Sequence, residues 1–483
     1  MILMGSLYII LTEPHSDDSI PTLYWVTDAN PTRYQQIELF HDWLIQNKHT
    51  TPEGNAIVRI KLETGGIDNK KLIHGVSGVA GDLIDLSDID QYQKLGILED
   101  VTEQGKSLGF DIHQTFPSLK PSLYFNDKQY GYPCNVSIHS CWVNSETFAK
   151  LEMEAPPEKW DVETFEKIGK EFVLKANKEK ERQEVFFMNK PSDWLLIPWL
   201  TTLIRSMGQS TFNETLTDST LDQGAFAEAL RLNLKWVEED HLFPSSAEAS
   251  SFNSEGGFGG SLMSLFLEGN YGMITTGRWV LVRLRDLEEP PRVSVSRYPF
   301  KYFENSVVMT RAACIYKGSK HKKLAALFLS FLASQTYNEQ IVQCADALPS
   351  NPKYLHSNEF LKPIHFPNEW GAHEVPARSA QEISIAETKS PYISYSSIVK
   401  VIREADEKVQ NHISEPVEAA KEANLAIREE IQRNLKHRPK LKKQFDKDKF
   451  RQNQINRMKE NGEKIPTSLI SNPFYKKYYN DKK

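Results

Sequence analysis

Residues 22–45 read TLYWVTDANPTRYQQIELFHDWLI. The run TLYWV is short, apolar and rich in aromatic and β-branched residues, which suits a strand, whereas residues 34–45 carry apolar side chains at helical spacing. TDANPTR between them is turn chemistry, with Asp and Asn able to accept backbone N–H groups. The segment therefore reads β, loop, α. The same order returns downstream: IVRIKL at 57–62 reads as a strand, 83–86 after Gly81 as a third, and 89–94 as the helix behind it. Alternating strands and helices predict an α/β protein with a mostly parallel sheet, whose ligand crevice lies at the carboxyl ends of the strands. That rule places Asp28, Asn30, Ser87 and Asp88 beside such a crevice. Each is equally suited to cap the helix that follows it.

Further along, residues 132–144 read as extended, and Asp161 is a suitable N-cap for a helix carrying Phe165, Ile168 and Phe172. Residues 225–239 form an amphipathic helical pattern, and the glycines at 256–260 mark a loop. GNYGMITTGRW at 269–279 reads as a strand ending in a turn and 306–316 as a further strand, then come a helix at 322–333 and helical segments rich in Ala, Glu and Lys over 398–435. No internal repeat is visible.

Composition is that of a globular protein of several domains: 483 residues, 40% hydrophobic and 25% charged, with 58 Lys and Arg against 64 Asp and Glu. A net charge of -6 gives no sign of a nucleic-acid ligand. The balance is uneven, however. Residues 433–483 hold 16 basic and 5 acidic residues, a local +11, which leaves -17 on the rest. Such a tail reads as a solvated disordered segment, or as a tether toward an anionic membrane surface. Four cysteines are too few for a disulfide scaffold. On an extended segment Cys134 and Cys141 stand about 23 Å apart, beyond the ~7 Å reach of a bridge, so buried free thiols are expected. MILMGSLYIIL at 1–11 is apolar but lacks a basic flank and the ~20 residues of a spanning helix. We read residues 1–19 as a signal or anchor remnant.

Catalytic signatures are missing. The chain has no G-x-x-x-x-G-K-[ST], H-E-x-x-H, C-x-x-C or G-x-S-x-G motif. Binding, without cofactor or metal, is favoured over catalysis, although glycosidase carboxylates leave no local motif. Sugar recognition needs aromatic faces for the C–H side of a pyranose and polar groups for its hydroxyls, and nine tryptophans supply the former. Trp43, Trp160 and Trp236 sit at helical positions suited to packing. Trp279 follows Gly277-Arg278 in a turn after an apolar strand, where packing alone does not demand it. Trp194 lies in PSDWLLIPWL, otherwise a buried helix.

Five landmarks carry a family resemblance: GDLI at 81–84 with GILEDV at 96–101, YGYP at 130–133 leading to Trp142-Val143-Asn144, PPEKWD at 156–161, FLEGNYGMITTGRW at 266–279, and KGSK at 317–320 with the helix after it and ALPS at 347–350. Their order and spacing resemble the family 1 extracellular solute-binding proteins, the group of maltose- and oligosaccharide-binding proteins. Cys134 and Arg311-Ala312-Ala313 depart from the family's usual Phe and small glycine-rich residues. The resemblance implies a two-lobed periplasmic-binding-protein type II-like fold: lobe one from 20–133 and 311–350, lobe two from 134–310 and 351–432, then the basic tail 433–483. It also implies an extracytoplasmic, non-enzymatic protein that closes by a hinge on a carbohydrate, neutral or acidic, and delivers it to ABC permease subunits. Ligand contacts are then expected from Asp28, Asn30, Asp88, Tyr132, Asn135, Trp194, Arg278, Trp279 and Arg311. A carbohydrate-active hydrolase or lyase is the alternative reading, and a scaffold protein with a basic interaction tail is a third.

Overall fold

The computed structural model describes residues 20–64, 68–251 and 260–481. The apolar start at 1–19 and the glycine run at 256–259 lie outside the described residues. Ten strands carry the architecture: β1 (Thr22–Thr27), β2 (Arg59–Thr64), β3 (Leu83–Leu86), β4 (Tyr132–Ile138), β5 (Ser140–Asn144), β6 (Phe186–Met188), β7 (Tyr271–Thr276), β8 (Val293–Ser296), β9 (Ser306–Ile315) and β10 (Ser384–Ala386). The helices used below are α1 (Thr32–Gln46), α2 (Ile89–Lys94), α3 (Asp193–Ser206), α4 (Ala225–Glu238), α5 (Gly260–Glu268), α6 (Val280–Leu284), α7 (Lys322–Ala333), α8 (Tyr395–Gln410), α9 (Pro416–Lys436), α10 (Pro439–Glu460) and α11 (Pro473–Asp481).

The chain divides into two compact units. The first comprises the described residues up to Asp111, then Asn126–Tyr132 and Ala312–Gln340. In it β1 runs parallel to β2 and to β3, with Trp25 beside Leu83 and Val26 beside Ile84. The last residues of β9 pair antiparallel with β3. β1 buries Leu23 and then Trp25, Val26 and Thr27, and its core is aromatic: Trp25 packs on Phe328 of α7 at 4.8 Å, and Phe40 of α1 meets the same ring edge-on. The indole N–H of Trp25 donates to Asp85 at 2.8 Å, so a buried carboxylate and a buried donor satisfy each other.

The second unit comprises Ile112–Phe125, Pro133–Arg311 and the residues from Ile341 onward. Its own sheet has the order β8-β5-β7-β6, antiparallel except for β6 beside β7. The core is aromatic again, with Phe165, Trp199, Trp236 and Phe243 within 4.9–6.4 Å of one another. Trp236, on α4, is buried as its helical position suggested, and Trp160 is buried too, although it stands before the helix and not on it. Asp161 caps the helix Val162–Ala176 by accepting from Thr164 N–H at 2.8 Å. All four cysteines are free, and Cys134 and Cys141 are buried.

These units redraw the sequence-based boundaries, because residues 112–125 and 341–350 belong with the second body. The larger correction concerns the tail. Residues 439–481 are not a solvated disordered segment; they fold as α10 and α11 within the second unit. Phe445 and Ile455 on α10, then Ile470, Phe474 and Tyr475, are buried, four of them in a cluster with Ile385 of β10. The α10 face that packs inward is Phe445, Asp448, Gln452 and Ile455. Half of it is polar, so apolar periodicity could not reveal it.

Candidate functional site

Helix α3 is apolar on nearly every side, and Leu195, Leu196, Ile197, Trp199, Leu200, Leu203 and Ile204 are buried. A helix of that kind belongs inside. Trp194, in its first turn, is the exception and is 51% exposed. Trp279 stands just before α6, after β7 has ended in the turn Gly277-Arg278. A Cβ on Gly277 would lie 2.9 Å from the Trp279 ring, so glycine is what lets the indole fold back over its own backbone. The two indoles face each other at 6.1 Å with 46° between their planes, and His139 meets Trp194 edge-on at 5.2 Å.

This aromatic pair forms one wall of a cavity of about 740 Å³ within the second unit. Its polar lining includes Asn189, Lys190, Ser245, Arg403, Asp406 and Glu407, the last three from α8. Asn189 is fixed by accepting from Thr275 N–H at 2.9 Å. Asn233 receives the Trp199 indole N–H at 2.8 Å and donates to Asp406 at 3.4 Å, tying the buried carboxylate to the aromatic core. Burial raises the Asp406 pKa and lowers that of Lys190, since each charge has lost much of its water. Neither Lys190 nor Arg403 forms an ion pair or a side-chain hydrogen bond among the described residues. The cavity thus offers two π faces together with ammonium, guanidinium, carboxylate and amide groups, which is the donor and acceptor set that a polyhydroxylated ring requires.

Burial also holds His139 neutral, with its pKa lowered from 6.5 to about 4. A histidine whose folded pKa lies below its unfolded value costs nothing above pH 6.5 and destabilises the fold progressively as pH falls from there toward 4, because the unfolded chain then binds the extra proton. The ceiling is about 3 kcal/mol. Urea denaturation at pH 7 and pH 4.5 should show this loss, and His139→Gln should remove a measurable part of it. An unchanged pH slope in His139→Gln would contradict the buried neutral ring.

The structure treats the other expected contacts differently. Asp28 forms a bidentate pair with Arg33 at 2.8 and 3.0 Å and accepts from Asn30 N–H, while Asn30 accepts from Thr32 N–H at 3.0 Å. Asn30 thereby satisfies one N–H of the first turn of α1, whose N-cap is Pro31 without a side-chain cap bond, and Asp28 orders the loop before it. Asp88 takes the N-cap position of α2. These residues do lie at the carboxyl ends of β1 and β3, in the first unit. Tyr132 is fully buried, edge-on to Phe110 at 6.2 Å, so it presents no open face. Asn135 donates to Asp346 at 3.3 Å, and Arg311 reaches the same carboxylate at 4.0 Å. Arg278 corrects an expectation: it is 1% exposed and donates to His373 and to the carbonyls of Ile341, Val342 and Ala347. Its role is internal. Of the nine residues expected at a ligand site, only Trp194 and Trp279 line this cavity. Lys190, Arg403, Asp406 and Glu407 were missed, since a polar residue in a loop or on an amphipathic helix carries no local sign that it faces a cavity.

A model of the bacterial extracellular solute-binding proteins matches residues 53–368. The chain belongs to this family. Several solved members of the fold align along most of the chain. An ABC substrate-binding protein from Listeria monocytogenes, solved in complex with cycloalternan, is 21% identical at a TM-score of 0.70, covering 86% of this chain and 99% of its own. An ABC transporter solute-binding protein from Thermotoga lettingae bound with α-D-tagatose is 14% identical at 0.68, over 85% and 100%. A maltose-bound MalE3 of T. maritima is 13% identical at 0.67, over 85% and 99%. The fold is therefore the two-lobed α/β fold of solute-binding proteins. Membership also assigns this extracellular solute-binding protein outside the cytoplasm. Among the described residues no helix is long and apolar enough to cross a membrane.

Proposed function

We propose that the protein is the carbohydrate-binding component of an ABC importer, without catalytic activity of its own, and that it holds its sugar on Trp194 and Trp279 for delivery to permease subunits. The observation that carries this reading is the indole pair, Trp194 half in water and Trp279 partly buried, beside Lys190, Arg403, Asp406 and Glu407 in one cavity. Each indole covers the apolar C–H face of a pyranose, and the charged and amide groups replace the water lost by its hydroxyls. The sugars held by the similar structures support the ligand class.

The test is titration calorimetry against linear and cyclic gluco-oligosaccharides, with indole fluorescence as a second readout. Trp194→Ala and Trp279→Ala should each weaken binding by about 1–3 kcal/mol, the usual worth of covering a large apolar face. Trp194→Ala should leave the melting temperature nearly unchanged, since half of that ring is already in water. Full affinity in both variants would remove the indole pair from the site. Turnover of the same oligosaccharides at catalytic amounts of protein would instead favour the hydrolase or lyase reading.

A further inference from the structure

Along α10 the positions 440, 443, 447, 450, 454 and 457 repeat at spacings of three and four and so share one face. They hold Lys440, Lys443, Lys447, Phe450, Gln454 and Arg457, all exposed. Phe445, Asp448, Gln452 and Ile455 form the buried face opposite. An ordinary solvated helix face mixes signs, and α9 does so: Lys421 pairs with Glu418 and Arg433 with Glu430 on the same helix. The α10 stripe does not. Among the described residues none of its four cations forms an ion pair. Of the acids near it, Asp446 is taken by Lys442, Asp448 by Arg451 and Glu214 by Lys459, while Glu460, three residues after Arg457, forms no ion pair among the described residues. In the middle of these cations Phe450 is 64% exposed.

We propose that this stripe docks the protein on an anionic lipid bilayer, with Lys443, Lys447 and Arg457 against headgroup phosphates and Phe450 seated among the upper acyl carbons. A flat helix face of long flexible cations around one large apolar ring suits a plane of phosphates over hydrocarbon. The whole chain carries -6 and is repelled by such a surface, so attraction must come from this local excess and must respond to salt. The inference is independent of the sugar site, which the stripe does not line.

The experiment is co-sedimentation of the full chain with phosphatidylcholine vesicles, with and without phosphatidylglycerol. We expect partitioning at least about tenfold stronger on the anionic vesicles at low salt, falling to the neutral-vesicle level at about 0.5 M salt. Lys443→Glu/Lys447→Glu/Arg457→Glu should abolish the preference, and Phe450→Ser should weaken binding about threefold or more. Lys178→Glu/Lys317→Glu/Lys320→Glu makes the same change in net charge elsewhere and should bind as the parent. Equal binding to neutral vesicles, unimpaired binding by the stripe variant, equal loss in the charge-matched variant, or capture by a soluble polyanion with none by vesicles would each overturn the proposal. Melting temperature reports whether the triple variant folds; if it does not, Phe450→Ser and the single Lys443→Glu and Lys447→Glu substitutions decide.

Discussion

Removing residues 439–483 will destabilise the second unit by about 5 kcal/mol or more, which is the whole margin of many domains. The buried side chains Phe445, Ile455, Ile470, Phe474 and Tyr475 leave with the segment, each worth about 1.5–3 kcal/mol of burial. The gross sum is reduced by the chain entropy no longer lost in ordering the two helices. What they covered is exposed in turn. Ile385 and Phe303 lose their apolar partners, and Glu214 loses hydrogen bonds from Gln452 and Tyr479 together with its ion pair to Lys459. Asn472, fully buried, donates to Phe212 and Asn213 carbonyls at 2.8 and 3.2 Å, so its removal also takes two hydrogen bonds from the 207–224 loop. The truncated protein should precipitate on expression or be cut rapidly by protease. A narrower test is Phe474→Ala, which empties a ring site shared by Phe303, Tyr475 and Tyr478 and should cost about 3–5 kcal/mol. A truncated chain with the parent's denaturation midpoint would show that α10 and α11 add nothing to the fold.

The second large effect belongs to Arg278. Its guanidinium donates at 3.1 Å to His373 and at 2.9–3.3 Å to three carbonyls, and it stacks over Phe360 at 4.7 Å. Two of the carbonyls, those of Val342 and Ala347, flank a loop in which Ala345 and Ala347 adopt positive φ of 62° and 65°, a conformation that disfavours any residue with a Cβ. Arg278 therefore holds a strained loop in place. Burial lowers its pKa to about 9, which keeps it charged at neutral pH. Arg278→Ala leaves these carbonyls without donors at a cost of about 1–3 kcal/mol each for those that stay buried, and we expect a total loss of about 4 kcal/mol or more. Arg278→Lys should recover only part, because an ammonium cannot serve four acceptors in a plane. Equilibrium denaturation and sugar titration of the same variants separate the roles: an unstable protein with intact affinity fits an internal strut, whereas normal stability with lost affinity would return Arg278 to the ligand site.

Much of the α/β order was written locally. The strand at 83–86 and the helices at 89–94 and 322–333 fall where apolar spacing put them, since each is decided by residues within a turn or two of one another. The exposed start of α3 was legible only in part. PSDWLLIPWL announces a buried helix, and nothing local says that its first tryptophan escapes burial.

By itself, then, the sequence determined the alternation of strands and helices, the cap at Asp161 and the family, through local spacing and an ordered set of landmarks. Only the tertiary structure decided which of the candidate site residues line a cavity and which are sealed inside the fold. Arg278 and Trp279 are neighbours in sequence, yet one is sealed against carbonyls from residues 341–347 and the other opens on a cavity with Trp194. The same holds for the basic tail, which looked solvated by composition and is held by Glu214 and Ile385, residues more than fifty positions away in sequence. Burial is set by contacts between distant segments, and a charge or an indole has the same letter in either place.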